Sequence, residues 1–378
     1  MKALFVIHCQ DPIYGASRSV GNLIRNLDAD IDIIFPVKIR NDGITQKQID
    51  RFYGPRVRHV WFLPQPERIT SIVERVRPIQ FVKALAKEVL YRLCKRRYEN
   101  ILYEGEYDFI HLNSIVLFPM LDSKWPMFLH VREAVRQKQH FWNRNLTKKL
   151  NQAHGVFFID PGSKNCAPKL RVPTKMLINP IDQRNVGTVD VSVARRKFCI
   201  DEAETIYGII GNVSENKGVD FAIRAFQKAD IPNSVFLVVG SLDSLSNDPI
   251  YISTIKKIAE EDRRIRLVGE VQDVEQVYCI LDYVVRADRV AGFGRTVYEA
   301  LYSGCGAIVQ DDGQLKHEKP NMTDEMHDRI YFYQIRDEKS MVKAYLATGG
   351  KKIINRRYCS NIDGYVKEFT SFVKENAQ

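Results

Sequence analysis

The segment from Gly211 to Asp220 reads Gly-Asn-Val-Ser-Glu-Asn-Lys-Gly-Val-Asp and contains the residue types of a phosphate-binding loop. It follows the apolar run 206–210, which is typical of a buried strand, and leads into the periodic segment 217–229, which predicts a helix. A helix that begins after such a loop presents unpaired N–H groups and the positive end of its dipole. With Lys217 beside them, these groups could bind a phosphate. An ordinary strand-to-helix turn with an exposed lysine accounts for the same residues.

A second candidate segment, residues 286–301, also follows an apolar strand and leads into a helical pattern. The residues in it whose chemistry suits a ligand are Gly292, Gly294, Arg295, Thr296 and Glu299. The glycines would permit a close approach of the backbone, and the arginine and threonine could donate to an anion. The carboxylate of Glu299 could accept two hydrogen bonds from the hydroxyls of a ribose. A glutamate that only stabilises the start of a helix is the simpler alternative.

These two segments, taken together, resemble the retaining GT-B glycosyltransferases of family 4, the group 1 type. The second domain of that family carries a loop of the pattern GxxxxxKG, which residues 211–218 match. A later pattern, ExFGxxxxEAxxxG, aligns with residues 291–304. Residues 268–271 resemble the F-x-G turn that lies beside the nucleotide base, and the order and spacing agree over residues 205–312. The resemblance implies a transferase that takes its sugar from a nucleotide diphosphate sugar.

Shorter segments in the first half of the chain resemble the same family. Residues 15–18, Gly-Ala-Ser-Arg, resemble its first glycine-rich loop, which approaches the donor phosphates. Residues 107–113 resemble a strand of its first domain, and residues 128–133 resemble a strand end whose histidine lies near the donor sugar. The amphipathic segment 362–378 resembles the closing helix that returns to pack on the first domain.

The resemblance implies roles for single residues. Lys217 would hold the donor diphosphate, Glu299 would bind the ribose, and His130 would contact the transferring sugar. The residues implied in catalysis are His130, Lys217 and Arg295. Those implied in binding the donor are Gly15, Asn212, Lys217, Val268, Gly294, Arg295, Thr296 and Glu299. The family pattern requires no cofactor and no metal ion, because cationic side chains and helix N-termini stabilise the leaving diphosphate, and the expected donor is UDP- or GDP-linked.

Two positions depart from the family pattern. Ala291 stands where the family has a glutamate that orients the donor sugar, and Asn212 stands where its loop usually carries an arginine. Arg286 and Arg289 lie nearby and could replace the missing positive charge. Two alternatives to a transferase therefore stay open. One is a non-catalytic GT-B-like subunit that binds a glycan or a partner enzyme, and the other is an epimerase that acts on the sugar nucleotide itself.

Short apolar runs alternate with helical patterns along the chain, which predicts parallel sheets covered by helices. The strands expected in the first half are 2–7, 31–36, 57–62, 107–112, 127–131 and 155–159. Those expected in the second half are 206–210, 234–239, 265–268, 282–286 and 306–310. Together with the resemblance, this order predicts an α/β protein of the GT-B class, with two Rossmann-like, doubly wound domains facing a cleft that binds the ligand.

The domain boundary is expected in the polar stretch 180–205. This divides the chain into an acceptor-side domain of residues 1–180, completed by the closing helix 362–378, and a nucleotide-sugar-binding domain of residues 181–361.

The formal net charge is +10, and the first 180 residues hold the excess, with 29 Lys and Arg against 16 Asp and Glu. Nucleic acid, an anionic membrane surface or a phosphorylated substrate could each explain this charge. No recognition motif supports nucleic acid, which is the least favoured partner. The segment 83–103 predicts a basic amphipathic helix that could lie on a membrane, although a solvated helix packed on its own domain is equally compatible with the pattern.

No apolar run reaches the roughly 18 residues that a membrane span needs, and the apolar start of the chain is too short for a signal peptide. The seven cysteines are widely spaced, which argues against a disulfide framework and a cysteine-based zinc site. The Asp-x-Asp spacing at residues 28–30 is better explained by a turn than by a metal site. We therefore expect a cytoplasmic protein, peripheral on the inner membrane if the basic helix binds lipid. Its expected role is bacterial surface polysaccharide synthesis, with a glycan or lipid-linked oligosaccharide as acceptor.

Overall fold

The chain divides into two compact units. The first comprises Met1–Pro180 and Ile362–Gln378, and the second comprises Ile181–Asn361. The computed structural model describes residues 1–10, 15–37, 44–66, 78–133, 145–202, 204–243, 248–289, 292–313, 315–317, 322–354 and 356–377, with the backbone alone for residues 78–81. Each unit is built around its own sheet.

The strands of the first unit are β1 (Lys2–Ile7), β2 (Asp30–Pro36), β3 (Val57–Leu63), β4 (Phe109–Asn113), β5 (Met127–Val131), β6 (Gly155–Phe158) and β7 (Thr174–Met176). Those of the second unit are β8 (Thr205–Ile210), β9 (Ser234–Val239), β10 (Ile265–Gly269), β11 (Tyr283–Arg286), β12 (Gly306–Asp311) and β13 (Ile330–Gln334). Most are short apolar runs without polar alternation, as expected for parallel strands that helices cover on both faces.

The α-helices up to the domain boundary are α1 (Gly15–Asn26), α2 (Gln46–Tyr53), α3 (Pro78–Leu93), α4 (Lys95–Gly105), α5 (Leu146–Leu150) and α6 (Pro161–Cys166). The second unit contains α7 (Val191–Lys197), α8 (Val219–Ala229), α9 (Pro249–Glu261), α10 (Glu275–Tyr278), α11 (Gly294–Tyr302), α12 (Asp324–His327) and α13 (Glu338–Ala347). The last helix is α14 (Ile362–Asn376), which belongs to the first unit. Short 3-10 helices lie at Ile115–Met120, Arg184–Thr188, Glu215–Lys217 and Leu315–His317.

Both sheets are parallel and doubly wound. The strand order is β3-β2-β1-β4-β5-β6-β7 in the first unit and β10-β9-β8-β11-β12-β13 in the second. The order reverses between β1 and β4 and again between β8 and β11. In sheets of this kind the crevice at the carboxyl ends of the two strands where the order reverses is the usual ligand site. The prediction of two Rossmann-like domains with parallel sheets is confirmed.

Two edge strands are missing from the sequence-based prediction. β7 has only the residues Thr-Lys-Met, too few and too polar to give an apolar run, and it forms by pairing with β6. β13 reads Ile-Tyr-Phe-Tyr-Gln, and its aromatic and β-branched residues are a strand signal that the apolar-run criterion passed over.

The basic segment 83–103 is two helices rather than one. α3 ends at Leu93 and α4 begins at Lys95. Cys94 lies between them, and its carbonyl accepts from the N–H of Arg97 at 3.0 Å, a tighter spacing than the α-helical ladder. The prediction of a single continuous helix was wrong at this turn.

The closing helix α14 supplies part of the core of the first unit. Tyr365, Phe369, Phe372 and Val373 lie on one side of it and are buried. The ring of Phe369 stacks on that of Phe157 in β6, with centroids 5.1 Å apart. The amphipathic pattern of this helix is therefore satisfied by the sheet of the first unit, although the 181 residues of the second unit separate the two in sequence.

Candidate functional site

The glycines of the second unit let two loops touch where the strand order reverses. Gly218 precedes α8 with a φ of +60°, and a Cβ there would lie 2.3 Å from the carbonyl oxygen of Ala287, just after β11. No side chain fits at that distance, and the left-handed φ also favours glycine. The N–H of Arg289 donates to the carbonyl of Asn216 at 3.0 Å, which joins the same two loops. The last glycine of the GxxxxxKG pattern is thus needed to seat its loop against β11.

A cluster of two cations and one carboxylate lies at this junction. Asp288 Oδ2 is 3.1 Å from Lys217 Nζ and 2.7 Å from an Arg286 guanidinium nitrogen. The side chain of Lys217 is 39% exposed, whereas those of Arg286 and Asp288 are mostly buried. Lys217 is therefore the member of the cluster that an approaching anion can reach, and a phosphate would compete with Asp288 for its ammonium group.

Arg286 connects this cluster to the second predicted segment. Its guanidinium donates to the carbonyl of Phe293 at 3.1 Å. A Cβ on Gly294, the first residue of α11, would lie only 1.5 Å from the same guanidinium, and Gly294 has a φ of +64°. Arg286 therefore packs against the start of α11 and, through their shared partner Asp288, connects it to Lys217. Sequence analysis noted Arg286 only as a neighbouring positive charge, and its position at the end of β11 was the signal for a larger role.

Glu299 is buried on α11, and both of its carboxylate oxygens have partners. Oε1 accepts from Arg295 Nε at 2.8 Å, one helical turn earlier, and Oε2 accepts from the hydroxyl of Tyr278 at 2.8 Å. A carboxylate has about four lone-pair positions, so it can accept more than two hydrogen bonds. The structure thus pairs two of the predicted ligand-binding residues, Arg295 and Glu299, with each other.

The remaining predicted residues of the second unit are more dispersed. Asn212 is exposed in the loop after β8, and Thr296 is half-buried in the first turn of α11. Val268 is half-buried in β10, the edge strand, two strands away from β8. Position 291, where alanine replaces the family's glutamate, lies outside the described residues.

In the first unit, Gly15 is exposed at the first residue of α1. The two aspartates of the Asp-x-Asp spacing at residues 28–30 form ion pairs, Asp28 with Arg56 at 3.1 Å and Asp30 with Arg58 at 3.0 Å. Within the part of the chain that the structure describes, no group of three or more His, Cys, Asp or Glu side chains is arranged to hold a metal ion.

His130 lies in the core of the first unit and has no exposed surface. Its Nδ1 is 3.3 Å from Nε2 of His111, and its ring packs on Phe157 with centroids 5.4 Å apart. Burial, together with the nearby Arg132 guanidinium and His111, holds the pKa of His130 well below its usual value. The structure therefore places this side chain in the core of the first unit rather than at its surface, and the contact of His130 with a sugar stays a prediction.

A different polar cluster lies at the carboxyl ends of β1, β4 and β5, and it is centred on Arg132. The Arg132 guanidinium donates to Asn113 Oδ1 at 2.6 Å and to Asn179 Oδ1 at 2.9 Å. Glu133 accepts from the hydroxyl of Ser114 at 2.6 Å. Sequence analysis missed this cluster by choosing the histidine. The signal was the charged pair Arg-Glu directly after an apolar strand, where side chains reach the edge of the sheet.

His8, which follows β1, completes this cluster. Its Nδ1 lies 2.7 Å from the carbonyl oxygen of Asn113. Burial lowers the pKa of His8, while the neighbouring Glu133 carboxylate opposes that shift. The first unit therefore also carries polar side chains where its strand order reverses.

Residues 190–318 match the family model described as glycosyl transferases group 1. The matched segment contains Lys217, Arg286, Asp288, Gly294, Arg295 and Glu299. The matched segment lies within the second unit. The chain is also 26% identical over 208 residues to the lipopolysaccharide core biosynthesis mannosyltransferase LpsB of Rhizobium meliloti (strain 1021). That alignment covers 53% of this chain and 56% of the relative, so the chain matches about half the length of that protein.

Solved structures of similar fold cover nearly the whole chain. HepE of Anabaena, in complex with UDP and glucose, gives a TM-score of 0.71 at 16% identity and covers 99% of both chains. The sucrose-phosphate synthase of Thermosynechococcus elongatus gives a TM-score of 0.67 at 16% identity, covering 99% of this chain and 96% of that one. These likenesses show the fold, which is that of the GT-B glycosyltransferases, as the sequence predicted.

Proposed function

We propose that the chain transfers a sugar from a nucleotide diphosphate sugar to a hydroxyl group of a glycan or lipid-linked acceptor, with retention at the anomeric carbon. The observation that carries this proposal is the contact of Lys217 with the Asp288–Arg286 pair, beside the start of α11, in a group 1 domain. That arrangement offers a reachable cation and a helix N-terminus together, which is the chemistry that a diphosphate requires.

When the donor binds, its diphosphate would replace the Asp288 carboxylate as the partner of Lys217. In the structure, the Asp288 carboxylate forms an ion pair with the ammonium group of Lys217. A donor diphosphate would take that ammonium group while Arg286 stays with Asp288, so the site does not leave Asp288 unpaired. The N–H groups in the first turn of α11 and the Arg295 guanidinium would stabilise the remaining phosphate charge.

Glu299 is the residue proposed to recognise the ribose. Its burial and its bonds to Arg295 and Tyr278 fix the carboxylate, so a ribose meets an acceptor that needs no reorganisation. The structural neighbour HepE was crystallised with UDP, which makes a uridine nucleotide the first donor to test and GDP the second.

The proposed reaction breaks the bond between the anomeric carbon and the diphosphate oxygen. The acceptor oxygen forms the new bond on the same face, and its proton passes to the departing diphosphate. Lys217 and Arg295 stabilise the charge that develops on the leaving group. The scheme requires no protein nucleophile, and it does not use His130.

The likeness to LpsB supports a role in bacterial surface polysaccharide synthesis, with a lipopolysaccharide-type glycan as acceptor. In that setting the protein would work in the cytoplasm, in peripheral contact with the inner membrane through the basic region of α3 and α4. Within the described residues, no helix is long and apolar enough to cross a membrane.

A non-catalytic GT-B subunit is the second candidate, and Ala291 is the observation that favours it. A donor-turnover assay separates the two. Purified protein is incubated with UDP-glucose, UDP-galactose and GDP-mannose, and free nucleoside diphosphate is measured with and without glycan acceptors. We expect turnover of one donor, loss of that turnover in Glu299→Ala, and no change in the control Glu261→Ala, an exposed residue at the end of α9. Binding of a donor without any turnover would favour the non-catalytic subunit.

A further inference from the structure

Helix α3 buries small and charged residues and exposes large apolar ones. Of its side chains from Val82 onward, Ala84 and Glu88 are buried. The exposed aliphatic side chains are Val82 (63%), Leu85 (48%), Val89 (49%), Leu90 (51%) and Leu93 (76%). We call these five residues the α3 apolar face. Monomeric proteins seldom leave such a contiguous group of large apolar side chains in water, so this face calls for a partner.

The α3 apolar face is opposite the buried side of the helix. At about 100° per residue, the five side chains span an arc of roughly 140°, and Ala84 and Glu88 point the other way. Lys83 and Lys87 border the arc on one side, and Arg92 borders it on the other, about 80° from the centre. Long cationic side chains at the edges of an apolar arc can extend their charge outward while the stem lies on the apolar surface.

Positive charge continues beyond the helix. The turn at Cys94 is followed directly by Lys95, Arg96 and Arg97, all exposed. The one acidic side chain between Val82 and Arg97 is Glu88, which is buried and lies 3.2 Å from Arg92. The exposed surface of this segment is therefore apolar and cationic, and its own carboxylate is directed toward the protein.

We propose that the α3 apolar face and the cations around it bind the surface of a bilayer that contains anionic lipid. The aliphatic side chains enter the boundary between headgroups and acyl chains, about 5–10 Å deep, and the lysines and arginines contact lipid phosphates. Charge complementarity selects this partner. A second copy of the chain would bring the same cations together around its own α3 apolar face, whereas an anionic bilayer neutralises them. This inference rests on the membrane contact named in the proposed function and specifies its residues and its lipid class. The binding requires no sugar transfer, so its failure can be distinguished from failure of the transfer reaction.

Vesicle flotation tests this surface. Purified protein is mixed with vesicles of phosphatidylcholine alone or of phosphatidylcholine with phosphatidylglycerol, at low and high salt. We expect binding to the anionic vesicles only, weakened by salt. Lys83→Gln/Lys87→Gln should lower the partition coefficient about 30-fold, since each cation near such a surface contributes roughly 1 kcal/mol. Leu85→Ser/Leu93→Ser should lower it at least about tenfold through lost apolar burial.

Matched controls lie in the second unit. Ile250 is 78% exposed on α9, and Lys256 and Lys257 are exposed on the same helix. Ile250→Ser and Lys256→Gln/Lys257→Gln should leave flotation unchanged. Because all the substituted side chains are exposed, each variant should keep the parent melting temperature.

Three results overturn the proposal. The first is failure of the parent protein to float with anionic vesicles, and the second is flotation of the α3 variants to the same extent as the parent. The third is a parent protein that does not bind vesicles but forms a concentration-dependent dimer in sedimentation velocity, with Leu85→Ser/Leu93→Ser converting that dimer to a monomer. That result would make the α3 apolar face an interface between copies of the chain.

Discussion

Gly294 and Gly218 are the two residues whose missing side chains shape the proposed donor site. A Cβ at either position would collide with a neighbouring loop or with the Arg286 guanidinium, and both have φ near +60°. At Gly294 the obstacle is the side chain that carries positive charge into the site. The Arg286 guanidinium fits under the start of α11 because Gly294 has no side chain. The glycine in the sequence pattern is therefore required for the positive charge of the site.

Gly294→Ala should destabilise the second unit. The substituted residue must either leave its left-handed φ or displace Arg286 from Phe293 and Asp288, and we expect a loss of about 1–3 kcal/mol in the free energy of unfolding. Chemical denaturation followed by circular dichroism measures it. The same variant should bind UDP more weakly, since the cation under α11 moves.

Gly364→Ala is the matched control for that substitution. Gly364 lies inside α14, and a Cβ there meets nothing within 4 Å. Alanine has the higher helix propensity, so this variant should gain about 0.5–1 kcal/mol. Equal stability of the Gly294→Ala variant and the parent protein would show that Arg286 does not constrain α11.

The sequence was sufficient to propose Lys217, Arg295 and Glu299 as site residues because each has a fixed spacing within a motif, and their roles stay predictions. It was insufficient for Arg132 and Asp288, whose importance depends on contacts with residues distant in sequence, such as Asn179 and Lys217. Sequence reasoning chose His130 through the resemblance of residues 128–133 to a strand end of the family. Only the packing of Phe157 and α14 against β5 shows that this histidine is in the core.

At the scale of elements, β4 and β5 place two histidines inside the first unit. His111 and His130 have no exposed surface, and their rings lie 5.5 Å apart. Burial is the largest cause that lowers the pKa of each, and the Arg132 guanidinium lowers both further. Both imidazoles are therefore neutral in the folded unit at neutral pH.

The stability of the first unit should fall as the pH drops below the ordinary histidine pKa of 6.5. In that range the unfolded chain binds protons that the folded unit excludes, so the free energy of unfolding decreases toward the lower folded-state pKa values. Between pH 6.5 and 5.5 we expect a loss of about 2 kcal/mol, because each histidine contributes up to about 1.4 kcal/mol per pH unit. Tryptophan fluorescence reports this unit, because Trp61, Trp125 and Trp142 all lie in its sequence.

His130→Asn should remove about half of the pH dependence that His111 and His130 contribute. His8 and His154, whose pKa values burial also lowers, keep their contributions in this variant. His317→Asn, at an exposed position of the second unit, should leave it unchanged. A first unit whose stability is the same at pH 5.5 and 7.5 would contradict the exclusion of protons from the two buried imidazoles.

The central strands and the edge strands β3 and β10 could be predicted from the sequence, whereas the edge strands β7 and β13 could not. β4, β5 and β6 are fully buried, and each is a short, mainly apolar run that can be recognised as a strand from the sequence alone. β7 is a partly exposed strand of three residues that exists because β6 offers it hydrogen bonds. The turn at Cys94 could not be predicted from the sequence either, because the basic helical pattern continues through it from α3 into α4.

At the scale of the whole molecule, the last helix belongs to the first unit although it follows the second in sequence. Four of its side chains are buried against the first sheet and α1, and burying such side chains contributes about 1.5–3 kcal/mol each. Their sum is comparable with the whole stability of a typical domain.

Deleting Ile362–Gln378 should therefore unfold the first unit and leave the second folded. Scanning calorimetry, with tryptophan fluorescence to assign the transitions, should show loss of the first-unit transition alone. Lys367→Ala/Lys374→Ala, at exposed positions of α14, should change neither transition. Equal shifts of both transitions in the deletion would contradict the division of the chain into two separately packed units.

The central claim is that Lys217, held by Asp288 beside α11, binds the diphosphate of a nucleotide sugar. The most direct measurement is isothermal titration of UDP and GDP into the parent protein, Lys217→Ala and the control Lys228→Ala, whose lysine is paired with Glu338 on the same unit. We predict that the parent binds one of the nucleotides and that Lys217→Ala raises its Kd about 10- to 100-fold, the value of a charge-assisted bond, while Lys228→Ala leaves it unchanged. Failure of the parent to bind either nucleotide, or equal Kd values for all three proteins, would contradict the claim.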